Sequence, residues 1–519
     1  MDGSGSSHCA ALLLSLRIVK PQKQEDPLKT AAEVRTLVKS CRGLEYVAIG
    51  GDWRESWQST VLAAGLPIKQ LEFAGSAKSV PLIAHLAALR SLTMTNVLQP
   101  AFDALNQIVH KLQALTELRL QLDASVNVPA GTLWRLPNVQ SLSVRAESSR
   151  SLHFVPPTVP QTQAPSTTAL TIGEHNWSAL LQSMLAMPLL ETIEQRHLLD
   201  DEGRGGWTNA TPDFDKRANE QLLAALQSRD PARCWPNLQS FSTFYPLPGA
   251  DFCAAAPRNW PKLHTLRVYL CTPVTIAQIR HLLTQLPLLE TASVLLDEPR
   301  DQKQCFGVDL RDEKREKRRK KKRGVTPRVL RHLTELDLGA SNDALFAGLE
   351  FPVLDRLVLR SPFMRVLKLD KVLARMPQLR HLETATSFMG NLHSGLSEPD
   401  GVLQFSRDVE TARFPALLSL TMAKCAIALP ILRHPATLAS LHLLRSMPNA
   451  DQLRELLDLL IARRPPRLRL VELFTMFTFC SEKPDAEGKS ETEGSDSDSS
   501  VSDESLPPSV WRKLVAACP

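Results

Sequence analysis

A short phrase, apolar-x-x-apolar-x-apolar, returns in one register along almost the whole chain. It opens at Leu13/Leu16/Ile18 and recurs at Leu44/Val47/Ile49, Ile68/Leu71/Phe73, Leu89/Leu92/Met94, Leu115/Leu118/Leu120 and Val139/Leu142/Val144. It continues at Leu238/Phe241/Thr243, Leu263/Leu266/Val268, Leu289/Ala292/Val294, Leu333/Leu336/Leu338 and Leu354/Leu357/Leu359. The last copies are Leu379/Leu382/Thr384, Leu417/Leu420/Met422, Leu438/Leu441/Leu443 and Leu468/Val471/Leu473. Period-2 alternation within each phrase predicts a short strand with one buried face. Many clear spacings run from 21 residues (Leu333 to Leu354) to 31 (Leu13 to Leu44), which predicts stacked repeats, since a single unit cannot bury its own apolar face.

Proline stands two residues before the phrase at Pro137, Pro188, Pro236, Pro261, Pro287, Pro352, Pro377, Pro415 and Pro466. It lacks an N–H and biases its predecessor away from the helical region, so it is expected to end one helix and launch the next strand. Between phrases, Ala31–Cys41, Pro100–Leu112, Trp177–Met187, Ile276–Leu286 and Asp451–Arg463 carry apolar residues at helical spacing. Two phrases, Thr167/Leu170/Ile172 and Leu190/Ile193/Gln195, are weak. The 48 residues from Leu190 to Leu238 read as a repeat carrying a long insertion near 196–235.

These phrases resemble an irregular leucine-rich repeat of the ribonuclease-inhibitor-like type. The asparagine that caps the turn in regular repeats is largely replaced, with Asp52, Asp123 and Asp297 at that place in three copies. Such uneven repeats are similar to those of fungal F-box/leucine-rich repeat proteins, as are Ser15-Leu16-Arg17-Ile18-Val19 and Cys41-Arg42-Gly43-Leu44-Glu45-Tyr46-Val47. No F-box-like segment stands ahead of Leu13. The resemblance implies an α/β fold, a leucine-rich repeat solenoid (horseshoe) with a parallel concave sheet and helices on the convex side. It spans residues 12–480, after a disordered stretch at 1–11.

Charge separates two further segments. Arg311–Arg323 holds ten basic and three acidic residues, +7 locally against +6 for the whole chain, inside an insertion at 300–327. Its core, Lys317, Arg318, Arg319, Lys320, Lys321, Lys322 and Arg323, fits a nuclear localisation signal, a phosphate contact or a solvated loop. No aromatic residue interleaves with these charges, which disfavours stacking on bases. Residues 481–505 are acidic and serine-rich, a composition expected to be disordered. Ser490, Ser495 and Ser500 each precede an acidic residue by three positions, as acidophilic kinases require. Residues 506–519 predict a short helix with Val510, Trp511, Leu514 and Val515 on one face, either a cap on the repeats or a docking peptide.

The nine cysteines form no C-x-x-C pair and read as buried residues of a reducing compartment. The thirteen histidines lack metal-ligand spacing, and nucleotide-binding, zincin and nucleophile-elbow motifs are absent, so neither enzyme nor cofactor is expected. Positions between the buried residues of each strand should form the concave face: Arg17, Glu72, Arg119, Arg267, Asp337, Glu383 and His442, with hydroxyls between them. Both charge signs mix there, without the basic stripe that nucleic acid needs. A protein ligand is therefore expected, on an intracellular protein of nuclear, nucleocytoplasmic or cytoplasmic location and without a membrane partner. The resemblance implies target selection for a ubiquitin ligase. A regulator of a small GTPase and a nuclear scaffold are the other classes that suit such a repeat protein.

Overall fold

The computed structural model describes residues 15–18, 36, 43–49, 55–123, 126, 128–129, 138–146, 154–155, 167–173, 184, 187, 189–196, 216–227, 235–271, 274–296, 327–339, 343–360, 367–385, 403–404, 416–422, 437–444, 455, 458–462 and 466–474. It is α/β, with long runs of parallel strands and short helices between them. The chain divides into two compact units, Met1–Leu310 and Arg311–Pro519.

In the first unit, eleven strands follow the phrases: β1 (Ser15–Ile18), β2 (Tyr46–Ile49), β3 (Gln70–Ala74), β4 (Ser91–Val97), β5 (Glu117–Leu122), β6 (Ser141–Ala146), β7 (Ala169–Gly173), β8 (Thr192–Arg196), β9 (Ser240–Pro248), β10 (Thr265–Cys271) and β11 (Thr291–Leu296). Each pairs in parallel with the next in chain order, phrase residue against phrase residue, as in Val47↔Leu71 and Leu71↔Leu92. The two weak phrases are strands in the same register. Thr167 takes the place of a leucine because its hydroxyl donates to the Val139 carbonyl at 3.2 Å while buried.

The second unit repeats this arrangement in six strands: β12 (Glu335–Leu338), β13 (Arg356–Arg360), β14 (His381–Ala385), β15 (Ser419–Met422), β16 (Ser440–Leu444) and β17 (Leu470–Phe474). Short two-residue parallel pairs, Arg328–Val329 with Leu349–Glu350 and Leu367–Lys368 with Leu403–Gln404, lie outside this run. Phe346 and Phe351 pack at 6.0 Å, and the Arg375 guanidinium donates to the Phe346 carbonyl.

Proline does more than stop a helix. The carbonyl of the residue before it accepts from the first phrase residue, closing a four-residue turn with proline at the second position, where its fixed φ is already suitable. Trp235 with Leu238 (3.0 Å), Trp260 with Leu263 (3.2 Å) and Met376 with Leu379 (3.2 Å) are such turns. Leu86 with Leu89 and Leu112 with Leu115 make the same turn without proline. In each case the carbonyl owner is itself buried, so the repeated unit begins with an apolar residue three places ahead of the phrase.

A second backbone device aligns the repeats. One carbonyl just ahead of each strand accepts from two consecutive N–H groups of the next repeat, using both of its lone pairs. In the first unit Glu45, Lys69, Arg90, Thr116, Gln140, Thr168, Glu191, Gln239 and His264 do so at 2.7–3.0 Å. Thr334, Asp355, Arg380, Leu418 and Ala439 do the same in the second, at 2.8–3.3 Å. These pairings give the amides at the corner where the chain enters the strand a partner in the preceding repeat.

The helices α1 (Glu55–Leu62), α2 (Val80–Ile83), α3 (Gln99–Ile108), α4 (Lys216–Gln227), α5 (Gly249–Asn259) and α6 (Ile276–Gln285) belong to the first unit, and α7 (Asp343–Phe346) and α8 (Leu369–Leu373) to the second. Helix α3 starts with Pro100 in its first turn and buries Ala101, Phe102, Leu105 and Ile108, a spacing of three and four. Helix α6 starts at a reciprocal cap: Thr275 Oγ1 accepts from the Gln278 N–H, and Gln278 Oε1 accepts from the Thr275 N–H. The stretch read as an insertion contains α4, which buries Leu222 and Leu226 and packs on α5. Asn259 ties the two by donating to the Leu226 carbonyl at 2.7 Å.

After that stretch the interior becomes aromatic. Trp235, Phe241, Phe252 and Trp260 are fully buried, with ring centroids 4.7 Å apart for Phe241–Trp260 and 6.1 Å for Trp235–Trp260. Trp235 has a positive φ of 49°, and its indole N–H donates to the Met184 carbonyl at 2.8 Å, so a buried hydrogen bond accompanies an unfavourable backbone conformation.

Candidate binding face

Strand alternation sends every second side chain out of the sheet, and parallel in-register pairing lines these side chains up in rows across the strands. The central row of the first unit runs Arg17, Ala48, Glu72, Thr93, Arg119, Ser143, Thr171, Glu194, Ser242, Arg267, Ser293. Four of the residues expected on this face, Arg17, Glu72, Arg119 and Arg267, therefore share one line. Arg17 is placed by its backbone, its side chain lying outside the described set. In the second unit Asp337, Val358, Glu383, Thr421, His442 and Glu472 form the corresponding row, which holds the other three.

Beside the central row lies a line of mostly hydroxyl-bearing residues: Ser15, Tyr46, Gln70, Ser91, Glu117, Ser141, Ala169, Thr192, Ser240, Thr265 and Thr291. Contacts run both between the two rows and along the second. Tyr46 donates to Glu72 at 3.4 Å and Ser91 to Glu117 at 2.7 Å, while Arg119 grips Glu117 through Nη2 at 2.5 Å and Nε at 2.8 Å. Burial raises the Glu117 carboxyl, but the Ser91 and Arg119 hydrogen bonds and the Arg119 charge outweigh it. The group therefore titrates below its ordinary value.

The second unit pairs Arg356 with Glu383 at 3.3 Å, and Asp355 lies 3.6 Å from Arg380 and 3.9 Å from His381. Val358 faces outward yet is buried, flanked by that Arg356–Glu383 pair. These exposed pairs each contribute little to stability, and their effect on the face is to neutralise it locally.

Cys253 is buried, and burial pushes its thiol up to about 12, which makes it inert. Among the described residues no group of three or more His, Cys, Asp or Glu could hold a metal ion, and no helix is long and apolar enough to cross a membrane. The basic tract Lys317–Arg323, the serines 490, 495 and 500, residues 1–11 and the segment 506–519 lie outside the described residues. No protein-family model matches the chain, and no curated protein matches it.

The apolar residue three places before the phrase, the hydroxyl that opens many strands, and the alternation of sign along Arg17, Glu72, Arg119, Glu194 and Arg267 are all visible in the letters once the register is fixed.

Proposed function

We propose that the chain is an irregular leucine-rich repeat protein that binds another protein along the outward, concave face of its sheet, as a recognition module without catalytic chemistry. The observation that carries this reading is the register-aligned outward face of the first unit, whose central row across eleven consecutive strands consists of polar and charged residues except for Ala48. Parallel stacking of this kind offers area rather than a deep cleft, which suits a protein surface or an extended peptide. On the resemblance to fungal F-box repeat regions, the bound protein would be a target delivered to a ubiquitin ligase.

The test is affinity purification with mass spectrometry on the full chain and on a variant with Thr93 and Ser143 both changed to Trp, which fills the face without touching the interior. Partners that are enriched by the natural chain and lost from the variant support the reading. An unchanged set of partners moves binding off this face. Recovery of ubiquitin-ligase components among the lost partners separates recruitment from simple scaffolding.

A further inference from the structure

On the strands of the two long parallel runs, the arginines whose side chains are described are Arg119, Arg267 and Arg356. Arg119 is held by Glu117 and Arg356 by Glu383, whereas Arg267 has no ion-pair or hydrogen-bond partner among the described residues and is exposed. Arg267 projects from the middle of β10, between the buried Leu266 and Val268.

Six of its eight nearest neighbours on this face bear hydroxyls, Pro246 and Leu295 beside Tyr269 being the exceptions. In register, Ser242 stands on one side of it and Ser293 on the other; Thr265 and Tyr269 flank it along its own strand, and Ser240 and Thr291 lie at the corners. With strands about 4.8 Å apart, six hydroxyl-bearing residues thus surround Arg267 in the register, and no carboxylate occupies any of these positions. The carboxylates at the nearest register positions are otherwise engaged. Glu290 bonds His264 at 3.1 Å, and Glu194 is two strands away, about 10 Å, with interactions of its own.

We infer that Arg267 and its ring of hydroxyls form an anchor for a single carboxylate, the side chain of an Asp or Glu on the bound protein. The inference rests on the protein-binding reading above and names the chemistry recognised at that face. A guanidinium presents two parallel N–H donors that match the two oxygens of a carboxylate, and the hydroxyls can donate to its remaining lone pairs. One positive charge balances one carboxylate and leaves a phosphate dianion half-neutralised. Nucleic acid would require several cations in line, and this row alternates Arg267 with Glu194 and Glu72 instead.

The test uses random dodecapeptides displayed on phage and selected on the full chain. The expected result is that enriched peptides share one acidic position, and that changing it to Gln weakens binding about tenfold or more, the size of a hydrogen bond to a charged group. On an Arg267→Ala chain the same peptide change should leave the affinity nearly unchanged, and Arg267→Lys, which keeps the charge but loses the fork, should fall between. Arg267 is exposed and unpartnered, so the thermal midpoint of the variants should not move.

A Ser293→Trp chain serves as the blocking control for the patch. Peptides that this variant excludes but that need no acid, or that need a phosphate added to them, would overturn the carboxylate anchor and leave protein binding at the face intact. Peptides indifferent to both Arg267→Ala and Ser293→Trp would overturn the anchor and count against this part of the face as a binding surface.

Discussion

The Thr243 hydroxyl donates to the side-chain oxygen of Gln195 at 2.5 Å, across 48 residues of sequence, with both residues 1% exposed. Each occupies the last inward position of its phrase, where the flanking repeats have Ile172 and Val268. The polar residues face each other because β8 and β9 are adjacent, so two irregular repeats satisfy each other's buried groups. Thr243→Val should lower stability by about 1–3 kcal/mol by stripping the amide of this partner. Adding Gln195→Leu should cost less than the sum of the two single changes, as denaturant midpoints of the three variants would report; full additivity would mean that the pair is not coupled.

The inward strand positions carry the fold in both units. Leu266 and Leu357 are fully buried, in the first and second unit respectively. Replacing either with Asp places an unpaired carboxylate in the apolar interior, at a cost of about 4 kcal/mol or more. Limited proteolysis should show cleavage spreading through Met1–Leu310 for Leu266→Asp and through Arg311–Pro519 for Leu357→Asp. Variants as resistant as the natural chain would contradict the register.

Strand existence and register were legible because the phrase carries its own period: every described strand of the two parallel runs starts where a phrase places it. The faces were legible for the same reason, since Arg17, Glu72, Arg119 and Arg267 fall in one row once strands pair in register. Which charges neutralise each other was not. Ser91 meets Glu117 across 26 residues and Arg356 meets Glu383 across 27, and uneven repeat lengths hide such pairings until the strands are aligned. Helix α4 is not legible although Leu222 and Leu226 stand four apart, because the stretch around it has no phrase to set an expectation. Outward-facing Val358 is buried beside the Arg356–Glu383 ion pair, which alternation alone does not reveal.

Two glycines in the first unit should respond differently to a methyl group. At Gly249 an added Cβ would lie 2.7 Å from the Cys271 carbonyl oxygen and 2.8 Å from Val274 Cβ, atoms fixed by backbone. At Gly75 the nearest obstacle is Met94 Cε, the end of a flexible side chain that can turn aside. Gly249→Ala should therefore destabilise by about 1–3 kcal/mol and Gly75→Ala by clearly less, in thermal or denaturant unfolding. Equal losses would mean that Met94 has no room to move.

The carboxyl of Glu117 provides a pH signature for the first unit. Its pKa is lowered from the ordinary 4.5 in the folded state by Ser91 and Arg119 against the opposing effect of burial. A depressed folded value means that the ionised group favours folding. That contribution is complete above the unfolded value and fades as pH falls below 4.5 through the folded one. Thermal midpoints followed downward from pH 6 should show the natural chain losing stability more steeply below pH 4.5 than Glu117→Gln, so that the two curves converge in acid. Ser91→Ala should reduce this difference, because it removes the hydrogen bond at 2.7 Å while leaving Arg119 in place. Parallel curves for the natural chain and Glu117→Gln across that range would show that Ser91 and Arg119 do not hold the carboxylate in solution as they do in the structure.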